Sequence, residues 1–92
     1  MDYEWDSTKA ATHFKKHGVS FEEAKTVFDT SLALIFEDEL HSVEERREII
    51  IGYSQRSRIL LVSFTERPKA IRMISARIVT QKEREDYENN TF

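Results

Sequence analysis

Lys16-His17-Gly18-Val19-Ser20-Phe21-Glu22-Glu23-Ala24 decides how this chain turns. Gly18 suits the left-handed conformation that ends a helix, and Ser20 with Glu23 three residues later spells a capping box that starts the next. The stretch therefore joins two helices with almost no linker. Upstream, Asp6 or Ser7 can cap a first helix running to His17, with Ala10, Phe14 and His17 on one stripe at helical spacing. Downstream, a second helix is expected from Phe21 to about Phe28, where Ala24, Val27 and Phe28 continue the apolar face.

After these helices the pattern changes to β-branched and aromatic runs over 32–37, 47–54, 58–66 and 70–79. The last three are joined by short connections, which predict an antiparallel meander of four strands, because parallel pairing needs long crossovers. Thr80 and Glu83 repeat the capping-box spacing and start a last helix to about Tyr87. Tyr3 and Trp5 are expected to pack beneath the first helix rather than to add an edge strand. The expectation is an α+β domain in which two N-terminal helices pack on a four-stranded antiparallel sheet, closed by a C-terminal helix. With 92 residues and no linker-like segment, residues 1–92 read as one domain with a modest core.

The absence of cysteine excludes disulfides and thiol chemistry and agrees with a reducing, cytoplasmic setting. The longest apolar run, Leu32 to Phe36, is far too short to span a membrane, and the acidic start lacks the apolar stretch of a signal peptide. The net charge of −3 hides an asymmetry: residues 1–45 hold 4 Lys and no Arg against 11 acids, whereas residues 46–92 hold 2 Lys and 8 Arg against 6. All arginine therefore falls in the half that carries most of the strands. Such asymmetry hints at a polyanionic partner, with a charge-guarded sheet edge as the plainer alternative.

Side chains alternate along strands, so the register of the last hairpin decides which face is basic. Pairing Glu66 with Arg72, Phe64 with Ile74, Val62 with Ala76 and Leu60 with Ile78 gives an apolar inner face. The outer face then carries Ser63, Ser75 and Arg77, with Arg67 at the loop. Two guanidiniums flanked by hydroxyls suit a phosphodiester, because arginine offers forked donors matched to phosphate oxygens. Arg67 and Arg77 are thus the first catalytic candidates, with Arg58 and Arg72 as weaker RNA contacts. The three histidines and the acids have no metal-ligand spacing, so neither a metal nor another cofactor is expected. His41 follows Glu37, Asp38 and Glu39 and is expected to pair with a carboxylate in a loop. His17 sits in a helical last turn, where the dipole favours its cationic form.

Several motifs along nearly the whole chain resemble the BrnT toxins of bacterial type II toxin-antitoxin pairs. They are Glu4-Trp5-Asp6, Lys9-Ala10, the Lys16 to Ala24 run, His41-Ser42, Glu44-Glu45-Arg46, Gly52, Arg58, Thr65-Glu66-Arg67, Ile74-Ser75-Ala76-Arg77, and Thr80, Glu83, Arg84 and Tyr87. His13 stands where that family pattern has asparagine, and Ser31 where it has proline. The resemblance implies a RelE-like, metal-independent endoribonuclease that cleaves RNA through 2′-hydroxyl attack and inhibits translation, with the ribosome left open as a scaffold. It adds His17 and Tyr87 as catalytic candidates, and Lys16 and Arg84 as RNA contacts beside Ser63 and Ser75. It further implies a ribbon-helix-helix antitoxin like BrnA, a two-toxin, two-antitoxin assembly, and operator DNA contacted only through that complex. The alternative is a catalytically weak or inactive partner-binding module whose arginines hold the antitoxin in a DNA-binding repressor complex.

Overall fold

A computed structural model describes residues 2–92. The elements are β1 (Asp2–Glu4), α1 (Ser7–His17), α2 (Phe21–Lys25), a 3₁₀ turn (Thr26–Asp29), β2 (Leu34–Glu37), a second 3₁₀ turn (Glu39–His41), β3 (Glu48–Tyr53), β4 (Ile59–Glu66), β5 (Ala70–Ile78) and α3 (Gln81–Glu88). Local chemistry explains the helix ends. Asp6 accepts from the amides of Thr8 and Lys9, Gly18 closes α1 at φ 69°, and Ser20 Oγ accepts from the Glu23 amide. At α3 both halves of the capping box form between Thr80 and Glu83. At α2 only one half does, because the Glu23 carboxylate turns inward to Arg58 and Ser54. The Thr26 hydroxyl bonds back to the Glu23 carbonyl, and the chain tightens into 3₁₀ geometry before Phe28.

The sheet has five strands in the order β1-β5-β4-β3-β2, which corrects the expected four-stranded meander. The added strand is β1, which pairs parallel with β5 and places Tyr3 opposite Ile71. Its parallel sense is allowed because nearly the whole chain serves as the crossover. Tyr3 still packs inward, its ring 5.3 Å from that of Phe28.

The inner face buries Ile50, Leu60, Val62, Phe64, Ile71, Met73 and Ala76 against Val19, Phe21, Ala24 and Val27. Each large side chain among these contributes about 1.5–3 kcal/mol through removal from water. Along α1, Ala10 packs against the core as expected, and His13 rather than Phe14 follows it inward; Phe14 is 52% exposed. The His13 ring stacks on Phe21 and brings Nε2 to 2.7 Å from the carbonyl and 3.0 Å from the amide of Ala76. It thereby covers β5 beyond the short β1, where the strand edge would otherwise be bare.

The β4–β5 register follows the expected pairing from Leu60↔Ile78 to Ser63↔Ser75 and then shifts. Phe64 pairs with Met73 and Thr65 with Arg72, so Ile74 is an extra residue on β5 and the expected Phe64–Ile74 and Glu66–Arg72 pairs are corrected. A uniform slip would have driven Arg72 and Thr65 inward; the bulge instead buries Met73 and Ile71 and moves Arg72 to the outer face. Among the described residues, no helix is long and apolar enough to cross a membrane.

Candidate active site

The face opposite α1 and α2 is built from two rows that cross the sheet, Leu34–Ile51–Leu61–Arg77 and Phe36–Ile49–Ser63–Ser75. Glu83 of α3 reaches this face at Arg77, and Tyr87 reaches it at Tyr53. What α3 leaves open is a cavity of about 440 Å³ lined by residues that include Asp38, His41, Arg47, Ser63, Ser75 and Arg77.

His41 is oriented by Asp38, whose Oδ2 lies 2.8 Å from Nδ1. The second 3₁₀ turn places them three residues apart on one side, fulfilling the expectation that His41 pairs with a loop carboxylate. Arg77 is gripped from both ends of the Glu83 carboxylate, at 2.7 and 2.9 Å. The guanidinium, helped by the Thr80 amide, holds the Glu83 carboxyl down to about 2. The pairing also raises Arg77. Arg47 makes no ion pair among the described residues. Its position bridges the main cavity to a smaller depression of about 110 Å³, which it shares with Lys9, Arg67 and Arg72. A line of guanidiniums thus runs across the sheet from Arg77 through Arg47 to Arg72 and Arg67, with Asp6 and Glu45 also lining the smaller depression.

The expected site residues are distributed unevenly over this geometry. Arg77, Ser63 and Ser75 lie together in the main cavity. Arg67 lies beside the adjoining depression, bonded to Glu4 at 3.1 Å and Glu45 at 3.3 Å, and Arg72 lies with it. Arg58 is bound to Glu23 and to the Gly18 carbonyl. Its donors hold the α1–α2 junction to the β3–β4 hairpin. His17 and Lys16 lie at the end of α1 outside the cavity lining, with the His17 ring 4.5 Å from His13. Burial, then the charges of His13, Lys16 and Arg77, push His17 below its ordinary pKa, opposite in sense to the expected effect of the helix dipole. Tyr87 donates to the Leu32 carbonyl at 2.9 Å and anchors α3, while Arg84 faces Glu88 on the exposed side of that helix.

Arg47 is the residue that sequence reasoning missed. Its parity places it on the outer face with Ile49 and Ile51, but three consecutive isoleucines hide the alternation that would have revealed it. Among the described residues, no group of three or more His, Asp or Glu is placed to hold a metal ion.

A family model described as the ribonuclease toxin BrnT of type II toxin-antitoxin systems matches residues 5–83. Among solved structures, the chain is similar to the Brucella abortus ribonuclease toxin BrnT, with 26% identity and a TM-score of 0.68. That match covers 88% of this chain and 99% of the other. No curated protein matches.

Proposed function

Because the chain belongs to the BrnT family of type II toxin-antitoxin ribonuclease toxins, we propose that it cuts RNA in the cavity over its outer sheet face, without a metal, by 2′-hydroxyl attack. The observation that carries this reading is the convergence of an oriented imidazole, two guanidiniums and two hydroxyls in one cleft. A carboxylate at Nδ1 keeps the His41 proton on that nitrogen and leaves Nε2 as the base. Nε2 takes the 2′-hydroxyl proton as the oxygen bonds to phosphorus. Arg77 and Arg47 stabilise the charge that develops on the non-bridging oxygens. The bond to the 5′-oxygen then breaks, and that oxygen takes up a proton from water, while His41 later returns its own proton to solvent. The products are a 2′,3′-cyclic phosphate and a 5′-hydroxyl. Arg72 and Arg67 hold the neighbouring phosphates, and proton transfer falls to His41 rather than to His17 or Tyr87.

Family membership implies an antitoxin partner. The resemblance supports a BrnA-like ribbon-helix-helix protein in a two-toxin, two-antitoxin complex, and the two-fold symmetry of such partners makes that stoichiometry natural. Operator DNA is contacted through the antitoxin, in keeping with the net negative charge of this chain. In this reading RNA cleavage stops translation in the cytoplasm.

The test is cleavage of a defined RNA by the purified protein in excess EDTA, with analysis of the product ends. Single His41→Ala, Arg47→Ala and Arg77→Ala substitutions are expected to slow cleavage by about 10²–10³-fold, with melting temperatures showing that the variants fold. Wild-type rates in all three, or loss of activity on chelation, would overturn the assignment.

A further inference from the structure

The wall of the cleft on the β2 side is aromatic. Phe36 is 36% exposed and Phe92 48%, their ring centroids lie 5.7 Å apart, and both line the cavity that holds Arg47 and Arg77. Neither ring belongs to the core cluster. Phe36 begins the row that continues through Ile49 and Ser63 to Ser75, so it stands three strand spacings, each about 4.8 Å, from Ser75. Arg77 follows two residues further along β5, on the same face.

We propose that Phe36, with Phe92 as a second wall, is a stacking seat for one nucleobase beside the phosphate held by Arg77 and Arg47. The proposal rests on the reading of this cleft as the cleavage site. The pairing of the lining groups and the exposed rings favour nucleic acid as the occupant. Its two carboxylates are already engaged, Glu83 by Arg77 and Asp38 by His41, and Arg47 is left without an acidic partner among the described residues. Arg47 thus keeps donors free for a phosphate, in the same cleft as an apolar ring face. A nucleotide offers both complements at once, an anionic phosphate and a flat π surface, and every base has such a surface. An acidic protein segment would need an apolar side chain set beside its carboxylate to meet both.

The probe is a fluorescent, non-cleavable 2′-O-methyl RNA oligonucleotide, intact or with a single abasic position moved along it. For the wild type, one abasic position is expected to weaken binding about tenfold or more. Phe36→Leu should weaken the intact oligonucleotide by a similar factor and become insensitive to that abasic position, while Phe36→Trp restores both. Undiminished binding by Phe36→Leu, or an abasic effect that persists in it, overturns the seat. So does weakened capture of the purified cognate antitoxin by Phe36→Leu with oligonucleotide binding unchanged, which would assign the wall to the protein partner. Cleavage of unmodified RNA is measured in parallel. A seat without cleavage would refute the catalytic reading alone, and cleavage without a seat would refute only this inference.

Discussion

Replacing Glu23 by glutamine removes one charge and almost no volume from a carboxylate that is 3% exposed. Its oxygens accept from Ser54 Oγ at 2.6 Å, from Arg58 Nε at 3.0 Å and from Arg58 Nη2, with Arg56 at 3.8 Å. In the variant an amide N–H₂ faces guanidinium N–H groups, donor against donor. Breaking a buried pair from one side costs about 3–5 kcal/mol, and the 26% exposure of Arg58 allows water to relieve part of it, leaving about 2–3 kcal/mol. For a domain of this size that lowers the melting temperature by about 10–20 °C. The assay is urea and thermal unfolding followed by circular dichroism, for Glu23→Gln, Arg58→Met and the double variant. The double variant should be more stable than the sum of the singles by at least about 1 kcal/mol. Acid adds an independent check. Arg58 first, then Ser54 and Arg56, hold the Glu23 carboxyl below its ordinary 4.5. Its contribution is complete above the unfolded value and is lost as pH falls through the lower folded value. The gap between wild type and Glu23→Gln should therefore narrow on acidification. A Glu23→Gln protein within about 0.5 kcal/mol of wild type, or a gap that stays constant down to low pH, would refute the reasoning and return Arg58 to the pool of RNA contacts.

His13→Ala should cost about 1–2 kcal/mol, because it removes the one hydrogen bond that Nε2 makes, to the carbonyl or from the amide of Ala76 according to tautomer, at the uncovered stretch of strand edge. His13→Asn should recover at least about half of that, since a carboxamide offers a donor and an acceptor together; denaturant melts that rank alanine equal to wild type would exclude the edge-covering role. Gly52→Val should fail to accumulate as folded protein, because any Cβ at that position would stand 2.9 Å from Ala33 Cβ. A normal melting curve for that variant would mean that the segment before β2 can retreat.

How much of this was legible in the chain depends on the range of the determining interaction. The α1 and α3 caps, the Gly18 turn and the upper β4–β5 register rest on neighbours close in sequence or on simple alternation, and each was readable. The half-formed box at Ser20 was not, because Glu23 is claimed by Arg58 from 35 residues away. Parallel β1 was missed for a similar reason, since a three-residue strand has little pattern and its partner lies at the far end of the chain. His13 displaced Phe14 at the helix interface because a strand edge needs hydrogen bonds more than it needs apolar area. At the site, Arg77, Ser63 and Ser75 followed from parity alone. Arg47 was obscured because the uniform isoleucine run that follows it hides the strand's alternation, and His41 gained standing only when the loop brought it into the cleft with the arginines.

The extra residue at Ile74 makes β5 two half-strands running in opposite phase. Residue count at this point is therefore encoded as firmly as residue identity elsewhere. Exchanging the side chain at position 74 would alter the lining of the cleft at that point, whereas deleting the residue would rotate everything on one side of the break by half a turn. Either Met73 and Ile71 would be delivered to water and Arg72 to the core, or Arg77 and Ser75 would leave the cleft. Single-residue length changes in this strand should be excluded among functional relatives even where its composition drifts freely.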